Sequence, residues 1–170
     1  MTPELEQHIK EQYPLIFSGK CELAIGDGWY DIIDMLCGNI QNHINNIADQ
    51  HKYAIKWNSE VNDPDFDWDS VRSYLKREER KVPELVEQVV ATQVKEKFGT
   101  LRFYYTGGND YIRGLEAMAE SMTSRTCEDC GHPGESRSTE KKRWVRVLCD
   151  NHAYEQGYIE EEVDIQAIIW

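Results

Sequence analysis

The chain has 170 residues, of which 40% are hydrophobic and 11% aromatic, so one domain, or a core domain with a small appendage, can bury a hydrophobic core. Its 31 acidic residues outnumber 19 basic ones and give a formal net charge of -12, which disfavours nucleic-acid binding through the whole surface but not through a local basic patch. The sequence lacks both the apolar run of about 18 residues that a membrane span needs and a signal peptide, and its cysteine usage fits a reducing compartment, so we expect a cytoplasmic protein.

Two helices are predicted in the first half of the chain. The first begins at Thr2-Pro3-Glu4, where a capping hydroxyl precedes proline at the first helical position, and it ends at Pro14. A linker that contains Cys21 follows, and Asp27 is the expected cap of the second helix. This helix is predicted from apolar residues that recur every three or four positions, namely Trp29, Ile32, Ile33, Leu36, Ile40, Ile44 and Ile47. Cys37 lies on the same face and is expected to be a small buried residue.

Residues 51–83 differ in character from the rest of the chain and are predicted to be a variable insertion. Four aspartates alternate here with apolar residues, in the order Asp63, Pro64, Asp65, Phe66, Asp67, Trp68 and Asp69. The spacing is not that of a calcium loop, because Trp68 occupies the position at which such a loop needs glycine. We therefore expect a solvated acidic loop or a partner surface, followed by a short helix over residues 69–81.

The most regular pattern lies between residues 89 and 106 and predicts a β-hairpin. The segments V-V-A-T-Q-V-K-E-K and T-L-R-F-Y-Y-T alternate and flank a turn at Phe98-Gly99. Val90, Thr92 and Val94 are expected to share one face of the first strand. Asn109 or Asp110 then caps a third amphipathic helix.

The motif with the most specific spacing is C-x2-C-x18-C-x2-H, formed by Cys127, Cys130, Cys149 and His152. Each half pairs two ligands across a tight turn, and Gly131 suits the positive φ that such a turn often requires. Three thiolates and one imidazole, without a carboxylate, favour tetrahedral Zn2+. His132 is the alternative imidazole, but its spacing fits a paired site less well. The run R-W-V-R-V-L is the expected strand between the pairs, and a helix that carries Ala153 follows.

The predicted zinc is structural, because four protein ligands fill a tetrahedral site and leave no position for water. A zinc deaminase would need an H-x-E arrangement, which His152 does not provide. The sequence also contains no G-x-S-x-G elbow and no P-loop. Cys21 could pair with a histidine (His8, His43 or His51), but a lone cysteine in a linker is expected to be inert. We predict no catalytic residue and no cofactor other than zinc, with an enzyme that lacks a recognisable motif as the remaining alternative.

Basic residues around the loop between the ligand pairs allow a second function class. They are Arg125, Arg137, Lys141, Lys142, Arg143 and Arg146, with Trp144 among them. Cations interleaved with an aromatic side chain can hold a nucleic-acid backbone and stack a base, so nucleic-acid binding is the alternative to protein binding. The opposite interpretation is a solvated loop that balances an acidic body.

Together these elements predict an α+β fold in which an antiparallel, hairpin-based sheet is packed by amphipathic helices and followed by a C-terminal zinc-ribbon-like module. Residues 1–124 would form the core domain, and residues 125–170 would form the zinc-binding module with a final strand. That strand is indicated by the alternation of Val163, Ile165, Ala167 and Ile169. It could join the sheet or pair with a second copy of the chain, which allows a homodimer.

Three blocks of the sequence resemble a family of small uncharacterised proteins encoded by bacteriophages and prophages. The blocks are G-D-G-W-Y-D-I-I-D-M-L-C, Q-V-K-E-K-F-G-T-L-R-F-Y-Y-T-G-G, and R-T-C-E-D-C-G with L-C-D-N-H-A. The resemblance spans residues 25–153 except for segment 51–83, and it implies a phage setting and hence the host cytoplasm. Small phage proteins often act by binding host or defence proteins, so we expect a non-enzymatic, zinc-stabilised binding protein with a protein partner.

Overall fold

The computed structural model describes residues 1–68, 78–139 and 144–158. Asp69, most of the predicted helix over 69–81, Lys141, Lys142, Arg143 and the predicted final strand lie outside the described residues. The elements follow in the order α1 (Pro3–Gln12), β1 (Leu23–Ala24), α2 (Tyr30–Val61), β2 (Val90–Lys97), β3 (Thr100–Thr106), α3 (Asp110–Thr123), β4 (Glu135–Arg137), β5 (Arg146–Leu148) and α4 (Asp150–Glu155). The prediction of an α+β fold is confirmed. Within the described part of the chain, no helix has the length and hydropathy of a membrane span.

Two predicted helix caps are replaced by a contact between the start of the chain and the loop before α2. Thr2 precedes α1 and Pro3 takes the first helical position, but the Thr2 hydroxyl makes no capping hydrogen bond. The backbone N–H of Thr2 instead donates to Oδ1 of Asp27 at 2.6 Å. Asp27 begins a 3-10 turn, Asp27–Trp29, and α2 starts without a side-chain cap. The capping roles predicted for the Thr2 hydroxyl and for Asp27 are therefore wrong, since the Asp27 carboxylate binds residue 2.

Helix α2 is longer than its apolar period predicts. It runs for 32 residues and ends at Val61, so it includes the first part of segment 51–83. Its first half packs into the main core, where Cys37 is buried as expected. Ala54 and Trp57 are buried in its second half. The segment predicted as an insertion thus begins as a continuation of a core helix.

The main sheet has three strands in the order β1-β2-β3. Strands β2 and β3 form the predicted antiparallel hairpin, and Phe98 and Gly99 turn the chain with φ values of 56° and 79°. Positive φ at both central residues is the requirement of a type I′ turn. Strand β1 pairs in parallel with β2, so the sheet is mixed. The sequence does not predict β1, because a strand of two residues has no alternation to detect.

A bulge between Ala91 and Gln93 interrupts the register of β2 with β3. Ala91 and Val94 are buried while Thr92 is exposed. The prediction that Val90, Thr92 and Val94 share one face is therefore wrong. An extra residue at a bulge shifts the alternation by one position, and the amino-acid pattern alone does not locate it.

The two faces of the sheet differ in burial and composition. The core face contributes Ala91, Val94, Leu101 and Phe103 to the main hydrophobic core, which also contains apolar residues of α2 and α3. We call the opposite side the open face. Its strand residues, taken from the register, are Ala24, Val90, Gln93, Lys95, Lys97, Thr100, Arg102, Tyr104 and Thr106. Most of them are exposed or half-buried polar side chains, as expected for a sheet with one solvated side.

Helix α3 connects the hairpin to the metal-binding segment. Its cap is Asn109, whose side-chain oxygen accepts the N–H of Ile112 at 3.2 Å. This confirms Asn109 among the two predicted caps. Near the end of the helix, the buried Thr123 hydroxyl accepts the N–H of Leu101 at 3.1 Å. This bond holds the C-terminal end of α3 against the outer edge of β3.

Candidate metal centre

Two short structural units present the four predicted ligands. Cys127 and Cys130 lie in the knuckle, which we define as residues 126–134, between α3 and β4. Cys149 directly follows β5, and His152 lies in the first turn of α4. Strands β4 and β5 are antiparallel, with Glu135 opposite Leu148, so the residue after β5 returns to the knuckle. Of the predicted strand R-W-V-R-V-L, whose first residue lies outside the described part of the chain, Arg146–Leu148 form β5, and the helix that carries Ala153 follows.

The ligand atoms have the separations of a four-coordinate metal site. All four lie within 4.8 Å of one another. Nδ1 of His152 is 3.4 Å from Sγ of Cys127 and 3.3 Å from Sγ of Cys149, and the Sγ atoms of Cys130 and Cys149 are 3.8 Å apart. Zinc bonds of about 2.3 Å to sulfur and about 2.0 Å to nitrogen place ligand atoms roughly 3.5–3.8 Å apart on a tetrahedron. The cluster is therefore compact enough to bind a metal ion, with Nδ1 as the imidazole ligand.

The backbone of the knuckle is closed by its own hydrogen bonds. The N–H of Cys127 donates to the carbonyl of His132 at 2.7 Å, and the N–H of Gly131 donates to the carbonyl of Cys127 at 2.9 Å. Gly131 has a φ of 76°, which a residue with a side chain rarely adopts. The structure thus uses the backbone of His132 for the turn, while the cluster contains the imidazole of His152.

The thiols of the cluster have perturbed pKa values. Burial alone would raise the pKa of Cys127, but backbone hydrogen bonds from Cys149, Cys130 and Asp129 favour its thiolate and lower the pKa to about 7. Burial raises the pKa of Cys130 to about 11, and the neighbouring thiols of Cys127 and Cys149 add to this rise. Neighbouring thiols resist joint ionisation because their negative charges repel. A bound divalent cation would offset that repulsion and stabilise the thiolates together, as in other thiolate metal sites.

The knuckle packs directly against the loop before α2. The N–H of Gly28 donates to the carbonyl of Glu128 at 2.8 Å, and Nε1 of Trp29 donates to the carbonyl of Thr126 at 2.9 Å. A Cβ atom at Gly28 would lie 2.3 Å from the carbonyl oxygen of Cys127 and 2.4 Å from the nitrogen of Gly131. Only glycine permits this approach between two backbones. The sequence pattern did not predict this interface. Its signal is one glycine on each side of Asp27, followed by Trp29.

A buried carboxylate connects the knuckle to both neighbours. Glu128 is 6% exposed, and its Oε1 accepts the N–H of Gly26 at 3.1 Å. Its Oε2 accepts Nη2 and Nε of Arg146 at 2.9 and 3.0 Å. Arg146 also donates to Asp129 Oδ1 at 2.7 Å and to Gln156 Oε1 at 2.6 Å. Because the charges are paired and the guanidinium has several acceptors, the network satisfies its buried polar groups.

The predicted basic patch is only partly available for a ligand. Arg146 belongs to the Glu128 network, and Arg137 pairs with Asp150 at 2.5 Å and with Glu135 at 3.4 Å. Arg125 is exposed. Trp144 is 64% exposed, and its Nε1 donates to Oε2 of Glu96 at 3.1 Å.

The acidic segment, defined as residues 63–68, rests on aromatic side chains. The Asp63 carboxylate accepts the N–H of Asp65 at 2.9 Å and so closes a local turn. The Trp68 ring lies 5.0 Å from that of Phe66 and 5.3 Å from that of Trp57. Trp57 is 2% exposed, whereas Asp63, Asp65 and Asp67 are exposed. The carboxylates thus face solvent over an aromatic base.

The other residues considered for chemistry have structural contacts. Cys21 is buried in the main core, and burial raises the pKa of its thiol. His43 stacks on Tyr111 with 4.2 Å between ring centroids, and Nδ1 of His51 lies 2.7 Å from the carbonyl of Pro83. The ring of His8 lies 6.2 Å from that of Tyr30. His43 and His51 are half-buried and make packing contacts, whereas His8 is exposed. Cys21 is 5% exposed, so a substrate has little access to its thiol.

Comparison of the chain with protein-family models, with curated proteins and with solved structures finds no match in any of the three.

Proposed function

We propose that this chain is a zinc-stabilised binding protein without catalytic activity, which acts through a protein partner. The observation that carries the proposal is the Cys127, Cys130, Cys149 and His152 cluster, in which four protein ligands meet within 4.8 Å. Four such ligands fill a tetrahedral coordination sphere and leave no position for a substrate or a water nucleophile. The metal then has a scaffolding role, and function depends on the surface that the scaffold supports.

Zinc is the metal that the donor set fits best. Thiolates and imidazole are soft-to-borderline ligands, and a tetrahedral arrangement of three sulfurs and one nitrogen is typical of structural zinc. The knuckle, the β4-β5 hairpin and α4 are the parts of a zinc-ribbon-like module. Among the described residues of this module, the buried cluster consists of Cys127, Leu148, Ala153 and Tyr158. A bound metal would add stability to so small a cluster.

The acidic segment is the proposed contact surface for the partner. Its exposed carboxylates are supported by the contacts among Trp57, Phe66 and Trp68. Packing of these rings against each other would restrict the segment and so reduce the entropy lost on binding, and exposed carboxylates would steer a basic partner towards it. In the phage setting that the sequence resemblance implies, the partner would be a host or defence protein in the host cytoplasm.

The partner surface is tested by charge reversal in the native host. We expect Asp63→Lys, Asp65→Lys and Asp67→Lys together to abolish cross-linking of the tagged protein to its specific partner, with zinc content unchanged. A matched control reverses three exposed glutamates elsewhere, Glu4, Glu11 and Glu84, and should leave the partner in place. Equal loss of the partner in both variants would show that the change in net charge causes the loss, and retention of the partner in both would show that the acidic segment is not the contact surface. Either result would contradict the proposal.

Nucleic-acid binding through the loop between the ligand pairs is less well supported. Two of its predicted cations, Arg137 and Arg146, have carboxylate partners at 2.5–2.9 Å. Releasing them to bind phosphate would break these ion pairs. A gel-shift titration at low ionic strength tests this alternative, since phosphate contacts give salt-dependent binding.

A further inference from the structure

We propose that the open face of the main sheet, together with the hairpin turn at Phe98-Gly99, binds single-stranded RNA. This inference goes beyond the proposed protein contact. The hairpin turn borders the loop between the ligand pairs, since Nε1 of Trp144 donates to Oε2 of Glu96 at 3.1 Å, but the lysines and rings considered below belong to the main sheet. It rests on the charge of the open face, on its exposed aromatic side chains and on the backbone conformation of Phe98.

The open face is locally basic on a strongly acidic protein. The described strand residues on this side include Lys95, Lys97 and Arg102 and no acidic residue, although the chain as a whole carries a formal net charge of -12. Arg102 pairs with Glu120 of α3 at the edge of the sheet. Neither lysine takes part in a salt bridge among the described residues, so both are available to a phosphate. The carboxylate nearest the turn, that of Glu96, accepts the N–H of Gly99 at 2.6 Å and Nε1 of Trp144 at 3.1 Å. The two lysines therefore supply the positive charge that a polyanion would meet on this side.

Exposed aromatic rings lie beside these lysines. Tyr104 is 45% exposed in the middle of the open face, and Phe98 is 73% exposed at the hairpin turn. Nζ of Lys95 lies 5.6 Å from the centre of the Tyr104 ring, and Nζ of Lys97 lies 5.3 Å from that of Phe98. A strand of unpaired nucleotides can stack its bases on such rings while adjacent cations contact its phosphates. Each of the two rings therefore has a lysine beside it, as a nucleotide has a phosphate beside its base.

The conformation of Phe98 points to a role other than folding. Its φ of 56° lies in the left-handed region, where a bulky residue is an outlier and where hairpins prefer asparagine or aspartate. The exposed ring gains little from burial to offset this strain. A strained residue with an exposed ring is best explained by a contact that the free protein lacks.

Polar groups near Tyr104 favour RNA over DNA. Gln93 lies directly opposite Tyr104 in the register, and Thr106 lies two residues further along the same face; both are exposed. Their amide and hydroxyl groups can donate to or accept from a 2′-hydroxyl, the group by which a protein distinguishes the two nucleic acids.

Fluorescence anisotropy at low salt tests the proposal. The probe is a labelled oligouridylate of about 12 nucleotides, a length within the range that single-strand-binding domains cover. We expect Tyr104→Ala and Phe98→Asn each to raise Kd at least about five-fold. The double variant Lys95→Gln and Lys97→Gln should reduce the slope of log K against log salt by about 1.4. Phe98→Asn is the most informative variant, because asparagine suits the turn and the protein should fold at least as stably as the wild type.

Two controls determine the outcome. Tyr111→Ala removes a tyrosine of similar exposure that stacks on His43 of α2, and it should leave Kd unchanged. Oligodeoxyuridylate of the same length differs only in the 2′-hydroxyl and should bind more weakly. Three results would each overturn the proposal: absence of binding at about 100 μM protein, the weak end of non-specific nucleic-acid affinities; equal affinity for the deoxy strand; or insensitivity of Kd to Tyr104→Ala and Phe98→Asn. Failure here leaves the acidic-segment result unaffected, so the two proposals are tested separately.

Discussion

The knuckle and the acidic segment both carry carboxylates, and each contacts a tryptophan side chain, but their carboxylates have opposite environments. In the knuckle, Glu128 is 6% exposed and pairs with Arg146 and the N–H of Gly26. In the acidic segment, Asp63, Asp65 and Asp67 are exposed above a buried Trp57. A buried charge that is paired can fix the position of one backbone against another, whereas exposed charges generally contribute little to stability and lie where another molecule can reach them. The knuckle thus stabilises the fold, whereas the acidic segment is the surface proposed to bind a partner.

Loss of the metal should have the largest effect on the free energy of unfolding. We expect Cys149→Ser to lower the free energy of unfolding by at least ~3 kcal/mol, a fraction of the ~10 kcal/mol or more that structural zinc contributes to zinc-finger peptides. Urea unfolding, followed by tryptophan fluorescence, measures the change. Trp29 donates to the carbonyl of Thr126 in the knuckle, so the signal should report the main core as well. Cys21→Ala is the control and should keep its zinc; an unchanged midpoint for Cys149→Ser would contradict a structural metal.

Gly28→Ala is expected to have the next largest effect. The added Cβ would lie within 2.6 Å of backbone atoms of Cys127, Cys130 and Gly131, so the knuckle must move away from the core. We expect a loss of about 2–3 kcal/mol in the free energy of unfolding, the upper range for overpacking, together with weaker zinc binding. Gly114→Ala is the matched control, because a Cβ there meets nothing within 4 Å. In the interior of α3 it should stabilise by up to ~1 kcal/mol.

Glu128→Gln should have an intermediate effect. The amide keeps the shape of the side chain but leaves the Arg146 guanidinium with Asp129 as its remaining carboxylate partner. We expect a destabilisation of roughly 1–3 kcal/mol, below the full cost of an uncompensated buried charge. The control is Glu135→Gln, which removes a carboxylate with 78% side-chain exposure from Arg137 and should change stability by less than ~0.5 kcal/mol. Equal effects of the two substitutions would show that burial of Glu128 has no energetic consequence.

Substitution of Asp65 in the acidic segment should have the smallest effect on folding. Asp65→Lys alters an exposed side chain, so it is expected to change the free energy of unfolding by no more than ~0.5 kcal/mol. Thermal unfolding of the variant measures this. A large destabilisation would mean that this carboxylate supports the fold, and the contrast with the knuckle would be lost.

Local patterns predicted much of the fold. The hairpin, its turn at Phe98-Gly99, the Asn109 cap and the ligand cluster depend on residues close together in the sequence or on motifs with a fixed spacing. Alternation and metal-ligand spacing express these constraints directly.

Contacts between distant segments could not be predicted in the same way. The approach of Gly28 to the knuckle and the bond from Gly26 to Glu128 join residues about a hundred positions apart, and one chain carries no signal that pairs them. The bulge in β2 and the parallel strand β1 were not predicted for a related reason: both depend on the register with a neighbouring strand. The capping role predicted for Asp27 was wrong because its carboxylate binds the N–H of Thr2 instead.

Elemental analysis and cobalt substitution together determine whether the four ligands form a closed zinc site. We expect one zinc ion per purified chain, and a cobalt form whose absorption spectrum is that of a tetrahedral ion with three thiolate ligands. Substoichiometric zinc, or a cobalt spectrum of five-coordinate geometry with bound solvent, would contradict the scaffolding role of Cys127, Cys130, Cys149 and His152.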